Sequence, residues 1–173
     1  MPLRHATPNR TPIARPALAR RAARAVAFVL ALAAALPAAA ACSGATPTAV
    51  AQSFYRSHYL FWDQAPQRLR DVVAAPLLAL LRSEHACRDG GELCAIDADP
   101  WLGAQDGEAA NPRFEAEGRD RVRVAYRFDL GEERSERSAQ LLFVQERGCW
   151  RVADLISPGG GSLRRSLAQF HRP

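Results

Sequence analysis

Few side chains in this 173-residue chain could do chemistry, and the sharpest is Asp154. It lies in CWRVADLIS, which reads as a β-strand, and alternation puts it on the inward face with Trp150, Val152 and Ile156. An inward carboxylate needs a partner or takes up a proton more readily. In a pocket it would act as a general base or hold a polar ligand, with His58 or Tyr59 beside it. The plainer alternative is structural: an arginine partner, a helix terminus, or a bulge that turns the acid outward. Asp97, Asp99, Asp106 and Glu108 approximate a calcium loop, but Trp101 stands where a third acid belongs and Leu102 where the glycine belongs. The expectation is loop architecture instead, with Asx turns at Asp97 and Asp99 before Pro100. Neither a metal nor a cofactor is expected. No G-x-S-x-G, P-loop, dinucleotide fingerprint or H-E-x-x-H occurs, so no catalytic residue is assigned. The expected pocket or binding set is Tyr55, His58, Tyr59, Trp62, Asp99, Trp101, Gln105, Asp106 and Asp154.

Arg121, Arg123 and Arg127 alternate along one strand and share its outer face. They read as a solvated surface interleaved with acids, or as a face for an anionic partner, which the planar guanidinium fork suits. Nucleic acid is not expected. Every basic residue is Arg, six of them precede residue 25, and no acid precedes Asp63. From Cys42 onward 17 arginines face 18 acids, so the basic excess belongs to the leader.

That leader, residues 1–41, has the parts of an export signal: an Arg-rich start, the apolar run Ala25–Leu36, and an alanine-rich end. Twelve apolar residues rise about 18 Å as a helix, short of a bilayer core. Ala39-Ala40-Ala41 directly before Cys42 resembles the lipobox of bacterial lipoproteins, with Ala39 in place of the usual leucine. Cys42 is therefore expected to carry lipid and residues 42–46 to form a tether. Ordinary cleavage among the alanines, giving a soluble periplasmic protein, is the alternative. Ser43 fits sorting to the outer membrane. Export implies a space that permits disulfides. Cys87 and Cys94 bracket RDGGEL, whose glycine pair permits a tight reversal, and they are expected to pair. Cys149 is then either a buried small hydrophobe or a partner of Cys87 or Cys94.

The remaining residues, 47–173, read as one α+β domain. Thr46-Pro47 starts a helix whose aromatic face runs to Trp62. A shorter helix is expected over 66–74, and a third from Ala75-Pro76 to just before Gly90-Gly91. Residues 91–113 read as loop. The period then changes to two: strands are expected over 113–118, 121–130, 139–145 and 149–157. GEERSE forms a polar turn between the second and third strands, and Glu146-Arg147-Gly148 a hairpin. Ser162 caps a short terminal helix. Helices first and strands after argue α+β, with the helices packed on one face of a four-stranded antiparallel sheet.

Taken in order, Phe54-Tyr55, the D-P-W-L-x-x-Q-D loop from Asp99 to Asp106, the alternating strand and the W-R-V-x-D-L end at Trp150–Leu155 resemble the secreted bacterial family called domain of unknown function 3828. The resemblance spans about residues 47–168. It implies the nuclear transport factor 2-like, cystatin-like fold, a curved sheet wrapped around a helix to form a cone with a pocket at its mouth. It implies no activity, because that superfamily includes enzymes, binding modules and toxin inhibitors. The expectation is a non-enzymatic envelope lipoprotein that binds a protein or a small ligand, in one version an immunity-type inhibitor of a toxin delivered to the periplasm. A pocket enzyme using Asp154 and His58, and a structural subunit of an envelope complex, are the alternatives.

Overall fold

The computed structural model describes residues 42–172; the expected export signal lies outside them. Within the compact unit Ala41–Pro173, two α-helices precede a four-stranded sheet and one follows it: α1 (Pro47–Ser57), α2 (Ala75–Asp89), β1 (Glu108–Ala116), β2 (Arg121–Leu130), β3 (Glu133–Glu146), β4 (Cys149–Ile156) and α3 (Leu163–Phe170). The sheet is an open antiparallel meander in the order β1-β2-β3-β4. Among the described residues, no helix is long and apolar enough to cross a membrane.

The helix α1 starts as its sequence requires: Thr46 accepts a hydrogen bond from the Ala49 N–H at 3.2 Å, and Pro47 occupies the first turn. It buries Val50, Ala51 and Phe54 and touches β1, β2 and β4. The helix stops at Ser57, and the aromatic stretch beyond it turns through a 3-10 segment, Phe61–Asp63. On β2 the alternation holds: Val122, Val124, Tyr126 and Phe128 are buried. Leu141 pairs with Val122 on one side and Leu155 on the other, so a row of aliphatic side chains crosses three strands.

Besides the early end of α1, four expected elements change. Residues 66–74 make only one 3-10 turn, Pro66–Leu69. The chain keeps turning through Val72, with the Val72 and Val73 N–H groups donating to Leu69 O at 3.0 and 2.9 Å, and Val73 then bridges the free edge of β4: Ala74 N–H donates to Val152 O at 2.8 Å, and Val152 N–H donates to Val72 O at 2.9 Å. The strand expected over 113–118 begins earlier, at Glu108, and bulges where Asn111 takes a positive φ of 54°. GEERSE is mostly strand, because a two-residue turn at Gly131-Glu132 suffices. Its polar residues are held by pairs across the sheet, Arg113–Glu136 at 2.8 Å and Arg134–Asp129 at 3.7 Å.

The fourth change is in β4. Leu142 pairs with Asp154 and Phe143 with Val152, which leaves Ala153 as the extra residue of a bulge. The bulge reverses the alternation, so Leu155 joins Val152 in the core. Asp154 instead shares a face with Ile156 and Leu142.

Both disulfides involve described residues, and no described cysteine is free. Cys87–Cys94 forms as expected. Cys42 is bonded to Cys149, with Cα atoms 5.3 Å apart and a separation of 107 in sequence. This corrects two expectations. A sulfur in a disulfide cannot also carry a thioether-linked lipid, and Cys149 pairs with neither Cys87 nor Cys94. Residues 42–46 are therefore no tether: the disulfide, a hydrogen bond from Ser43 Oγ to Asp71 O at 3.3 Å and the Thr46 cap tie them down.

Candidate functional site

The expected binding residues divide into three places. The largest gathers at the C-terminal end of α1, where aromatic rings from helix, loop and sheet meet. Trp101 is fully buried; Phe54, Tyr55, Tyr59 and Phe61 surround it with ring centroids 5.1–6.2 Å away. Trp62 packs on Phe61 and Tyr59, and Phe114 packs on Tyr55. Such edge and offset contacts add to the area they bury.

Asp99 organises this cluster. One carboxylate oxygen accepts the Trp101 N–H at 2.7 Å, the expected Asx turn, and the other accepts the Tyr59 hydroxyl at 2.9 Å. Trp101 Nε1 donates to Tyr59 O at 2.9 Å, and the Tyr126 hydroxyl donates to Trp101 O. Helix end, loop and β2 are thus bonded through a single tryptophan. Burial pushes the Asp99 carboxyl above its ordinary value, and the hydrogen bonds from Tyr59, Trp101 and Leu102 only partly offset this. Burial, with Asp99 nearby, also raises Tyr55 to about 12 and lifts Tyr59 well above the ordinary phenol range. Neither phenol is a base at neutral pH.

A surface groove of about 510 Å³ opens beside the cluster, lined by Gln52, Tyr55, Arg56, Tyr59, Pro112 and Phe114. A second, of about 320 Å³, lies against Trp62, Arg88, Asp99 and Gln105. Asp106 is exposed and Gln105 exposed beside it. Among the described residues no group of three or more potential ligands is placed to hold a metal.

Asp154 belongs to the second place. It is 4 % exposed, and its oxygens accept from the Leu155 N–H at 2.9 Å, the Arg164 N–H at 2.9 Å and the Ser162 hydroxyl at 2.6 Å. It therefore closes the N-terminus of α3, together with the expected cap Ser162, which accepts from the Arg165 N–H at 3.1 Å. His58 caps the end of α1 and bonds Gln64 Oε1 through Nδ1 at 2.8 Å. It shares no hydrogen bond with Asp154, so the acid–base pair suggested by the sequence is not assembled. Ser162 and α3 hold the acid; Gln64 holds the imidazole.

The third place is the outer sheet face. Arg123 pairs with Glu115 and, at 3.4 Å, with Glu117. Arg127 grips Asp129 through Nε and Nη2 at 2.9–3.0 Å and holds that carboxyl below its ordinary value. Only Arg121 of the three makes no ion pair among the described residues.

Sequence reasoning missed Glu84. It is fully buried on α2 and accepts from the Ala95 N–H at 3.1 Å, the Ile96 N–H at 2.8 Å and Arg88 Nε at 3.3 Å. His171, just past the end of α3, brings its Nε2 within 2.8 Å of the same carboxylate. Burial alone would raise the Glu84 carboxyl, but the bonds from Ile96, His171, Ala95 and Arg88 outweigh it and hold the group below its ordinary value. A signal is present in the sequence: Leu77, Leu81 and Glu84 follow helical spacing, so an acid interrupts an apolar stripe.

Comparison with family models, with curated proteins and with solved structures returned no match.

Proposed function

We propose that this chain is an exported, non-catalytic binding domain that engages a protein or small ligand through the aromatic groove on α1 and β1. The observation that carries this reading is the state of Asp154: its oxygens are engaged by a helix terminus, so the acid that the sequence singles out is occupied and not aimed at a substrate. Asp99 is engaged likewise, within the aromatic cluster. The groove has the composition of an interaction surface, with tyrosines, a phenylalanine and an arginine. Export is supported by the leader-like sequence and by two disulfides, which persist in oxidising compartments. With the Cys42 sulfur bonded to Cys149, a protein without lipid in the periplasm is the form proposed. The motif order that resembles domain of unknown function 3828, and a helix lying across an antiparallel meander, support a nuclear transport factor 2-like arrangement.

Native mass spectrometry of the protein recovered gently from its own envelope tests the reading. A bound species that is present in the wild type and lost in Tyr55→Ala with Phe114→Ala supports the groove. A small mass points to a ligand; a polypeptide points to a partner, including the immunity version. Recovery of the same species by the double variant overturns the groove.

A further inference from the structure

The crossover from Arg70 to Ala75, the first two turns of α2 and the β3–β4 turn converge on a cleft of about 530 Å³ on a different set of residues. Four arginines line it: Arg70, Arg82, Arg147 and Arg151. The acids that line it are Asp71 and Glu146, so the cleft carries two more positive than negative charges. Both acids already have partners. Asp71 pairs with Arg70 at 3.3 Å, and Glu146 accepts the Ala75 N–H at 3.0 Å and 3.3 Å, capping α2 from the sheet. Arg82, Arg147 and Arg151 make no ion pair among the described residues. Nη1 of Arg151 is also buried and has no hydrogen-bond partner among them. A buried charged donor without an acceptor is costly, and native structures keep few of them.

We infer that this cleft binds a phosphate-bearing anion, with Arg151, Arg147 and Arg82 as its ligands. Two net positive charges match a phosphate dianion, whose several oxygens suit guanidinium forks. A single carboxylate would leave one charge unmatched. The fold positions the set from both sides. Arg151 lies on β4, where Val152 is clamped by the Val72–Ala74 strap; Arg147 lies in the two-residue turn next to it; Arg82 lies one turn after Leu78 on α2. The volume leaves room for an organic group on the phosphate. That group belongs either to a soluble phosphate monoester or to a phospholipid headgroup.

The test uses the disulfide-bonded protein and three probes: inorganic phosphate, glycerol phosphate, and vesicles with and without an anionic phospholipid. Amide shifts followed on titration should saturate and centre on residues 146–151 and 82. Arg151→Gln should weaken binding at least tenfold. Arg147→Gln, in an exposed turn and outside the core, should weaken it severalfold with the fold intact by circular dichroism. Arg127→Gln, on the outer sheet face, should leave it unchanged. Binding of the soluble probes identifies a free phosphate site; arginine-dependent binding to anionic vesicles alone identifies a headgroup site. No saturable binding to any probe overturns the inference. So does binding that Arg147→Gln and Arg151→Gln both retain, or that Arg127→Gln weakens equally.

Discussion

Asp154 and Glu84 show how the same chemical group takes opposite positions in a sequence reading. Asp154 stands out because alternation aims it inward; the bulge at Ala153 turns it to the N-terminus of α3, where three donors meet it. Replacing it with Ala leaves those donors unpaired, and the expected loss is about 2–3 kcal/mol in urea unfolding. Asp154→Asn should lose less, since the amide oxygen still accepts. Glu84 and Asp99 give opposite signs with pH. The Glu84 carboxyl is lowered by folding, so its contribution is present above the ordinary carboxylate range and is lost as pH falls through its folded value. Glu84→Gln removes the charge that faces Arg88 and His171, and leaves Arg88 its second partner, Asp63 at 2.9 Å. That variant should be less stable at neutral pH and show a flatter acid limb. Asp99 is raised, so it favours the fold at low pH and opposes it as pH rises through its folded value. Asp99→Asn should remove that decline while keeping the Trp101 N–H bond.

Among the elements, those whose signal is local are readable. β2 alternates cleanly because one face is core and the other solvent, and α1 and α3 carry their own caps at Thr46 and Ser162. What escapes has a cause at long range. α2 has no capping side chain of its own; Glu146, 71 positions away, supplies one. Val73 leaves its turn to bridge β4 only because that strand offers an unpaired edge. The polar half of β3 has a loop's composition and is a strand because its charges meet opposite charges on β2 and, across it, on β1. The strap makes a prediction of its own. The amides of Ala74 and Val152 should be protected from hydrogen exchange although β4 ends the sheet. Ala74→Pro suits the local φ of −65°, but it removes the donor and sets the ring Cδ against Val152 O at a buried position. It should cost more than about 1 kcal/mol and expose the remaining Val152 amide to faster exchange.

For the molecule as a whole, the two disulfides are unequal. By loop-closure entropy the Cys42–Cys149 bond, closing over a separation of 107, should contribute about 5 kcal/mol, and Cys87–Cys94, over 7, about half of that. Unfolding midpoints of Cys42→Ser/Cys149→Ser and Cys87→Ser/Cys94→Ser should rank in that order. Because Cys42 is bonded to Cys149, intact-mass measurement of the protein recovered from its native cells should find no diacylglycerol on Cys42. The spacing of Cys87 and Cys94 makes their bond legible. The other requires the tertiary fold, because nothing local links residue 42 to a hairpin near the opposite end of the domain. The candidate site is legible in part for the same reason. Its aromatic residues are marked by type and helical spacing, whereas their meeting with Asp99 and Tyr126 depends on how loop and sheet pack.

The long disulfide also has a mechanical consequence. A chain pulled at residue 42 and at its last residue transmits force through the sulfur bridge, so everything between Cys42 and Cys149 is shielded from tension. Only the segment beyond Cys149 can lengthen, by roughly 3.5 Å per residue. Force spectroscopy should record one short extension in oxidising buffer and a much longer one after reduction.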